Sequence, residues 1–355
     1  MITGGSCSSR NTVIGAGFRK VWTRPAMSCS CVSRCNASAS AYPMRPRLMT
    51  LMNSDSPSVS IRNSSSESTS RASIRTIARV SKIHPTAILS GTIDLADDVE
   101  IGPYCVLSGE IRIGAGSVLI ANVHVHGPMI MGSANVCYPG VTLGFAPQDR
   151  SFAPTKLGSG VVIGDHNTLR EHVTIHRATR DDRPTRVGNR NYLMACSHLA
   201  HDVQVGDDCT LANTTNVAGH AEIGDRVITG GGAGIHQFSR IGRGAMIGGL
   251  TGAGRDVCPF FTLTATNYVG GYNRIGLKRG GASSDDIDMV RTIYGILIRA
   301  KEPFSQRRAQ LETLAGHPVA DEYIAFVRAS KRGITTRHGR VASARSFGAT
   351  MAEAE

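Results

Sequence analysis

From Ile83 onward an apolar side chain returns at every sixth position: Ile83, Leu89, Leu95, Ile101, Leu107, Ile113, Leu119, Val125, Met131, Cys137 and Leu143. The beat stops near 145–160 and resumes at Ile163, Leu169 and Ile175. It then runs through Val187, Leu193, Leu199, Val205, Leu211, Val217, Ile223, Thr229, Ile235, Ile241 and Ile247. A period of six matches neither the roughly 3.6-residue repeat of a helix nor the two-residue alternation of a half-buried strand. It fits a hexapeptide parallel β-helix, in which each repeat supplies a short strand and a turn and three repeats close one triangular coil. In this register the first and fifth residues of each hexad point inward. Ala87, Ile93, Val99, Cys105 and Ile111 fill the fifth places, and each coil buries its core only against its neighbours. Glycine commonly follows the aliphatic residue, as in IGPYCV, IGAGSV and VGDDCT. That placement suits either a positive φ or a close approach of backbones.

Two segments break the beat, GFAPQDRSFAPTKLGSG (144–160) and RATRDDRPTR (177–186). Both are polar and contain Gly or Pro, so they are expected to loop out of the wall on a binding face. The repeat fades after about residue 258. DDIDMVRTIYGILIRAKE then reads as a helix with Ser284 as its N-cap and acids in its first turn, and PVADEYIAFVRAS as a second helix. The expected organisation is an all-β solenoid over 83–260, a small α-helical domain over 261–335 and a flexible tail over 336–355.

The chain carries a formal net charge of +12, which points toward nucleic acid until the charges are located. Residues 1–82 hold twelve Lys/Arg against Asp55 and Glu67, so 83–355 carry 27 basic and 25 acidic residues. The folded part is nearly neutral, and no nucleic-acid partner is expected. The leader, as in IRNSSSESTSRASIR (61–75), is rich in Ser and Arg and lacks a burial pattern, so it is expected to be disordered. It reads either as an organelle transit peptide or as a start codon placed too early, with Met27, Met44, Met49 and Met52 as other starts. No apolar run reaches the ~18–20 residues needed to span a bilayer. The nine cysteines form neither a zinc spacing nor a CxxC and read as reduced, small apolar residues.

The histidines fall outside the inward register. His201 is third in LAHDVQ, His198 sixth in LMACSH, His176 second in IHRATR, His236 second in IHQFSR and His220 fourth in VAGHAE. A general base with a carboxylate holding its tautomer uses just the residues of HLAHD, His201 followed by Asp202. Zinc needs three or four converging donors. Here one Asp adjoins one His while Asn, Gln and Gly fill the neighbouring repeats, so neither a metal nor another cofactor is expected.

The motifs IHPTAIL, IGPYCVL, PQD, REHVTIHRAT, HLAHDVQVGDDCTLAN, AGHAEIGD, GGGAGIHQFSRIGRGAMIGG and NRIGLKRGG, in this order, resemble the UDP-N-acetylglucosamine O-acyltransferases of lipid A synthesis over 83 to about 335. The resemblance implies a left-handed β-helix, a homotrimer with sites between subunits, and cytoplasmic transfer of a 3-hydroxyacyl chain from acyl carrier protein to the 3-hydroxyl of UDP-N-acetylglucosamine. An organellar address applies instead if the leader is a transit peptide. It further implies His201 as the base, Asp202 as its orienting acid and the Gly219 N–H as oxyanion donor. His198 and His220 match the sugar site, and Gln148 and Asp149 the loop that holds the sugar. Asn213, His176, His236, Gln237, Asn273 and Arg279 match further substrate contacts, and Gly249 matches the acyl-length ruler. The chain departs from the family at Ser151, where a lysine is usual, leaving Arg150 or Lys156 to supply the charge. It departs also at Gly280, in place of a second arginine, and at Ile275, in place of an acid. The rival readings are the N-acyltransferase of the same pathway, a zinc carbonic anhydrase, and a non-catalytic hexapeptide scaffold that should have lost the His201–Asp202 pair.

Overall fold

The computed structural model describes residues 81–338 apart from Pro154. Most of the expected leader and the tail beyond 338 lie outside the described residues. Ile83 pairs in parallel with Ile101 and Ile101 with Leu119, a step of 18 residues, or three hexads, per coil. About ten such coils stack, and their strands, most of them two or three residues long, form three faces. We number the faces by the strand that opens each: face 1 holds Ile83 and Ile101, face 2 Leu107 and Val125, and face 3 Ile113 and Met131. Cys137 pairs with Leu169 and Leu169 with Leu193, steps of 32 and 24 residues. The two interruptions thus leave the wall without changing its register.

Both inward positions are filled as the six-residue beat requires. Leu107, Leu119, Leu143 and Leu169 are fully buried at the first position, and Val99, Cys105, Val123 and Val173 at the fifth. Ile83, in the first coil among the described residues, is 38% exposed. Of the two explanations for the recurrent glycine, close approach holds. A Cβ on Gly102 would lie 1.8 Å from the Ile120 carbonyl oxygen of the next coil, and one on Gly206 2.2 Å from the Asp225 carboxylate. The left-handed φ falls two residues later, at the fourth position. Asp98, Tyr104, Asn122, Asp202, Asp208 and His220 all have φ between 51° and 62°. Most hexads therefore turn through one left-handed residue, whose identity is free to serve other ends, while those opening at Leu89 and Leu107 run on within the eight-residue strands Ile88–Leu95 and Val106–Ile113.

Several fifth positions depart from apolar filling, among them Ser197, Thr215 and Ser239, and one column does so with asparagine in three successive coils. Asn135, Asn167 and Asn191 are buried in successive coils. The Asn135 Oδ1 accepts from the Asn167 N–H and Nδ2, both at 2.9 Å, and the Asn167 Oδ1 accepts from the Asn191 N–H at 2.9 Å. Each amide also donates to a glycine carbonyl, Gly164, Gly188 or Gly206. The polar atoms are satisfied, so the ladder fixes the coil register at little desolvation cost.

Residues 261–272, expected within the helical domain, form an antiparallel hairpin of Phe261–Ala265 and Tyr268–Tyr272 that caps face 1 against Met246–Ile247. Four helices follow: α1 (Arg274–Arg279), α2 (Ser284–Tyr294), extended by a π-helical turn over Gly295–Arg299, α3 (Phe304–Glu312) and α4 (Pro318–Arg328). The cap of α2 is Ser283 rather than Ser284. Its hydroxyl accepts from the Asp286 N–H while its own N–H donates to the Asp286 carboxylate, a reciprocal box that only this serine can close. Helix α4 seats on the solenoid through buried Tyr323, whose hydroxyl donates to the Pro259 carbonyl, and through Glu322, which holds Arg243 at 2.6 Å. Arg337–His338, expected to begin a flexible tail, pairs with Tyr268–Val269.

Asn167→Ala should orphan the Asn191 N–H and the Gly188 carbonyl together and leave the Asn135 Oδ1 with the backbone N–H of residue 167 alone. A loss of about 2–4 kcal/mol is expected from buried groups left without partners, read as a lower urea midpoint at unchanged m-value. An unshifted midpoint would mean the ladder does not hold the register.

Candidate active site

The hexad L-A-H-D-V-Q (199–204) buries Leu199 and Val203 and leaves its third and fourth residues at the corner between faces 2 and 3. Asp202, in the left-handed conformation, folds back beneath its neighbour, and the His201 Nδ1 lies 2.7 Å from the Asp202 Oδ2. Burial alone would raise the Asp202 pKa. Hydrogen bonds from His201 and from the Thr179 hydroxyl and N–H more than offset it and hold the carboxyl at about 2. An ionised carboxylate only accepts, so the His201 Nδ1 carries the proton and its Nε2 is left to take one. Thr179 and Arg180, whose N–H groups also face Asp202, come from the second interruption of the repeat. That loop is therefore the clamp on the carboxylate.

One coil on, Gly219 occupies the third position of its hexad directly over the imidazole. A Cβ there would lie 2.7 Å from the His201 Cε1 and 2.8 Å from Nε2, so only glycine leaves room for the ring. The Gly219 N–H has no protein acceptor among the described residues. His220, in the fourth position, brings its Nε2 to 3.6 Å from the Asp202 Oδ2 and stacks on Phe238 of the following coil, with centroids 4.6 Å apart. Burial, first, and the neighbouring His201 lower its pKa against the opposing pull of Asp202. On face 2 the His198 Nδ1 is 2.6 Å from the Thr174 hydroxyl, and its ring meets His176 edge-on at 5.0 Å. A groove of about 690 Å³ runs along this face past Gln148, His198, His201, Gly219, His236 and Gln237.

The first interruption reaches this groove because of a residue that the periodicity does not single out. Arg177, 2% exposed, donates to the Gly144 carbonyl (3.1 Å) and the Lys156 carbonyl (2.7 and 3.2 Å), pinning both ends of the loop that carries Gln148 and Asp149. The only signal in the sequence is its place at the root of the second loop. Ser151, where the family has lysine, donates from both its N–H and its hydroxyl to the Asp149 Oδ1 at 2.8 Å, which lowers the pKa of that carboxyl. Lys156 is paired with Asp181 at 3.3 Å, whereas Arg150 has no ion pair among the described residues.

Other candidates stand apart or do different work. His176, outside the inward register and expected among the substrate contacts, is 8% exposed. It pairs with Phe145 and backs His198. Asn213 and Gly249 lie on the corner between faces 1 and 2. Asn273 caps α1, accepting from the Gly276 N–H and donating to the Gly244 carbonyl, at the third corner, and Arg279 is in the last turn of the same helix. The atoms of His201, Asp202 and His220 lie within 4.8 Å of one another, a convergence that the spacing of single residues does not reveal and a set from which a cation could draw donors. The Asp202 oxygens, however, are already taken by Thr179, Arg180 and His201.

A hexapeptide solenoid with a buried-carboxylate histidine at a glycine-roofed corner is the framework of an acyltransferase. The sequence profile described as Udp N-acetylglucosamine O-acyltransferase, domain 2, matches residues 256–335. An acyl-[acyl-carrier-protein]–UDP-N-acetylglucosamine O-acyltransferase of Anaeromyxobacter sp. (strain K) is 40% identical over 256 residues, covering 71% of this chain and 99% of the relative. The enzyme of the same name from Thiobacillus denitrificans is 38% identical, with 71% and 98% covered. The crystal structure of UDP-N-acetylglucosamine O-acyltransferase from Moraxella catarrhalis superposes with a TM-score of 0.66 at 38% identity, covering 71% of this chain and 99% of that one. The chain belongs to the UDP-N-acetylglucosamine O-acyltransferase family, and its solenoid is the left-handed β-helix of that family.

Burial, first, and then His198, His201 and Arg177 lower the His176 pKa from 6.5 to about 4. Between those values the unfolded chain binds the extra proton, so this contribution to stability is complete above pH 6.5 and is lost as pH falls toward 4. The melting temperature should drop across that window, and His176→Gln should flatten the drop; an identical profile in the variant would place the titration elsewhere.

Proposed function

We propose that this protein transfers a 3-hydroxyacyl chain from acyl carrier protein to the 3-hydroxyl of UDP-N-acetylglucosamine, the first step of lipid A synthesis, in the cytoplasm. The observation that carries the reading is the His201–Asp202 pair, with the one glycine that fits above it. The His201 Nε2 takes the proton of the sugar hydroxyl as its oxygen attacks the thioester carbonyl. The C–O bond forms, the C–S bond breaks, and the proton passes to the leaving thiolate. Asp202 fixes the imidazole tautomer and balances the transient imidazolium, and the free Gly219 N–H stabilises the oxyanion. His198 and His220 flank the sugar, Gln148 and Asp149 close over it from the pinned loop, and His236 and Gln237 line the path of the acyl donor.

A homotrimer completes the site. Asn213 and Gly249 on one corner and Asn273 and Arg279 on another cannot face His201 within one chain, but adjoining copies packed face to face bring different corners to one cleft. The relatives' names supply the donor and acceptor.

His201→Ala should lower kcat by ~10²–10⁴-fold with fold and assembly unchanged, because the ring lies outside the core. Asp202→Asn should retain more activity than His201→Ala; near-normal turnover in the alanine variant would remove His201 from the mechanism.

A Cβ at Gly249 meets only the Gly231 backbone, its nearest atom 3.4 Å away, so a side chain fits there and would project outward into an acyl groove. Each buried methylene contributes about 0.8 kcal/mol, so the open glycine favours long donors. Gly249→Met should shift the kcat/KM ratio toward donors several carbons shorter, and an unchanged ratio would make Gly249 a turn residue only.

A further inference from the structure

Beyond the far end of the groove lies a second, smaller pocket of about 260 Å³, lined by Arg255, Arg337, Thr335 and Asn267. Asn267 lines both cavities, and its Oδ1 accepts from the Gly254 N–H at 2.7 Å, so the two adjoin at one residue. A third arginine, Arg332, donates to the Gly254 carbonyl at 3.3 Å. Neither Arg255 nor Arg337 has an ion pair or side-chain hydrogen bond among the described residues. Asp256, the acid next in sequence, is 1% exposed and spends its oxygens on the Arg240 N–H and the Ser330 hydroxyl. Thr335 is 2% exposed, and its buried hydroxyl has no hydrogen-bond partner among the described residues. Uncompensated guanidinium groups beside an unpaired buried hydroxyl form a receptor for an oxyanion.

The spacing of the coils says which oxyanion. Arg255 is the third residue of its hexad, in the same column as His201, Gly219 and Gln237, and Ala253 is reached from Leu199 in three coil steps. At about 4.8 Å per step this sets Arg255 roughly 14 Å from His201 along the axis. In UDP-N-acetylglucosamine only a few bonds separate the sugar hydroxyls from the diphosphate, about one coil step. The pantetheine arm of a carrier protein places about a dozen bonds between sulfur and phosphate, roughly 15 Å when extended. We infer that the Arg255–Arg337–Thr335 pocket receives the phosphate of the acyl carrier's pantetheine arm while the thioester lies at His201. The inference rests on the proposed acyl transfer and adds to it a site for the donor's charge.

The test compares a hydroxyacyl thioester of 4′-phosphopantetheine with that of pantetheine at fixed ionic strength. The unaltered protein should favour the phosphorylated donor by about ten- to a hundredfold in kcat/KM, the worth of one or two charge-assisted hydrogen bonds. In Arg255→Gln/Arg337→Gln that preference should fall to near unity with the KM for UDP-N-acetylglucosamine unchanged. A preference that survives in the variant overturns the assignment. A rise in the KM for the nucleotide sugar instead would assign the pocket to the diphosphate. Calorimetric binding of 4′-phosphopantetheine alone, expected for the unaltered protein and not for the variant, needs no turnover. It therefore separates failure of this pocket from failure of the acyl-transfer reading.

Discussion

The stacking of one coil's backbone on the next governs everything else in this molecule. Gly102, Gly114, Gly206 and Gly242 each sit where a Cβ would come within 1.8–2.6 Å of an atom of the neighbouring coil, so the coils close to strand spacing and their registers lock. Locked registers turn hexad positions into columns. The third-position column at one corner reads His201, Gly219, Gln237 and Arg255, and the fourth-position column beside it reads Asp202, His220 and Phe238. The His201–Asp202 pair, its glycine roof, a stacked histidine and a distant arginine are thereby spaced by a ruler that no individual side chain sets.

The same constraint explains how two breaks in the repeat create chemistry. Steps of 32 and 24 residues return to register without loss, so the extra chain is free to fold over the corner. One loop brings Thr179 to the Asp202 carboxylate at 2.6 Å, and the other is fastened by Arg177 so that Gln148 reaches the groove. Burying Asp202 beneath these loops would by itself disfavour its charge, and the donors they carry reverse that. The loops and the dyad form a single electrostatic unit, and a change in either should be felt in the other.

The solenoid was legible because a six-residue beat of Leu, Ile and Val leaves no other fold to satisfy it, and the two looped segments were legible as silences in that beat. His201 and Asp202 could be singled out because they fall outside the inward positions. What stayed hidden follows from contacts that periodicity does not encode. The buried Asn135, Asn167 and Asn191 occupy positions that the pattern reserves for apolar side chains, and they become favourable only through one another. Arg177 is adjacent to a histidine in a loop, and its burial depends on carbonyls 21 and 33 residues away. The short helices α1 and α3 are held by a cap at Asn273 and by packing, and neither has a strong apolar stripe. The convergence of His220 on Asp202 required the coil spacing itself.

The central claim is that this corner esterifies a sugar hydroxyl at the expense of a carrier thioester. The most direct measurement incubates the full chain with UDP-N-acetylglucosamine and a panel of 3-hydroxyacyl carrier proteins, and identifies the product by mass and by proton NMR of the sugar ring. The account predicts one acyl group per sugar, a downfield shift confined to the proton at carbon 3, and release of free carrier thiol in equal amount. An acyl group on nitrogen, or hydrolysis of the thioester without an acylated sugar, would contradict it.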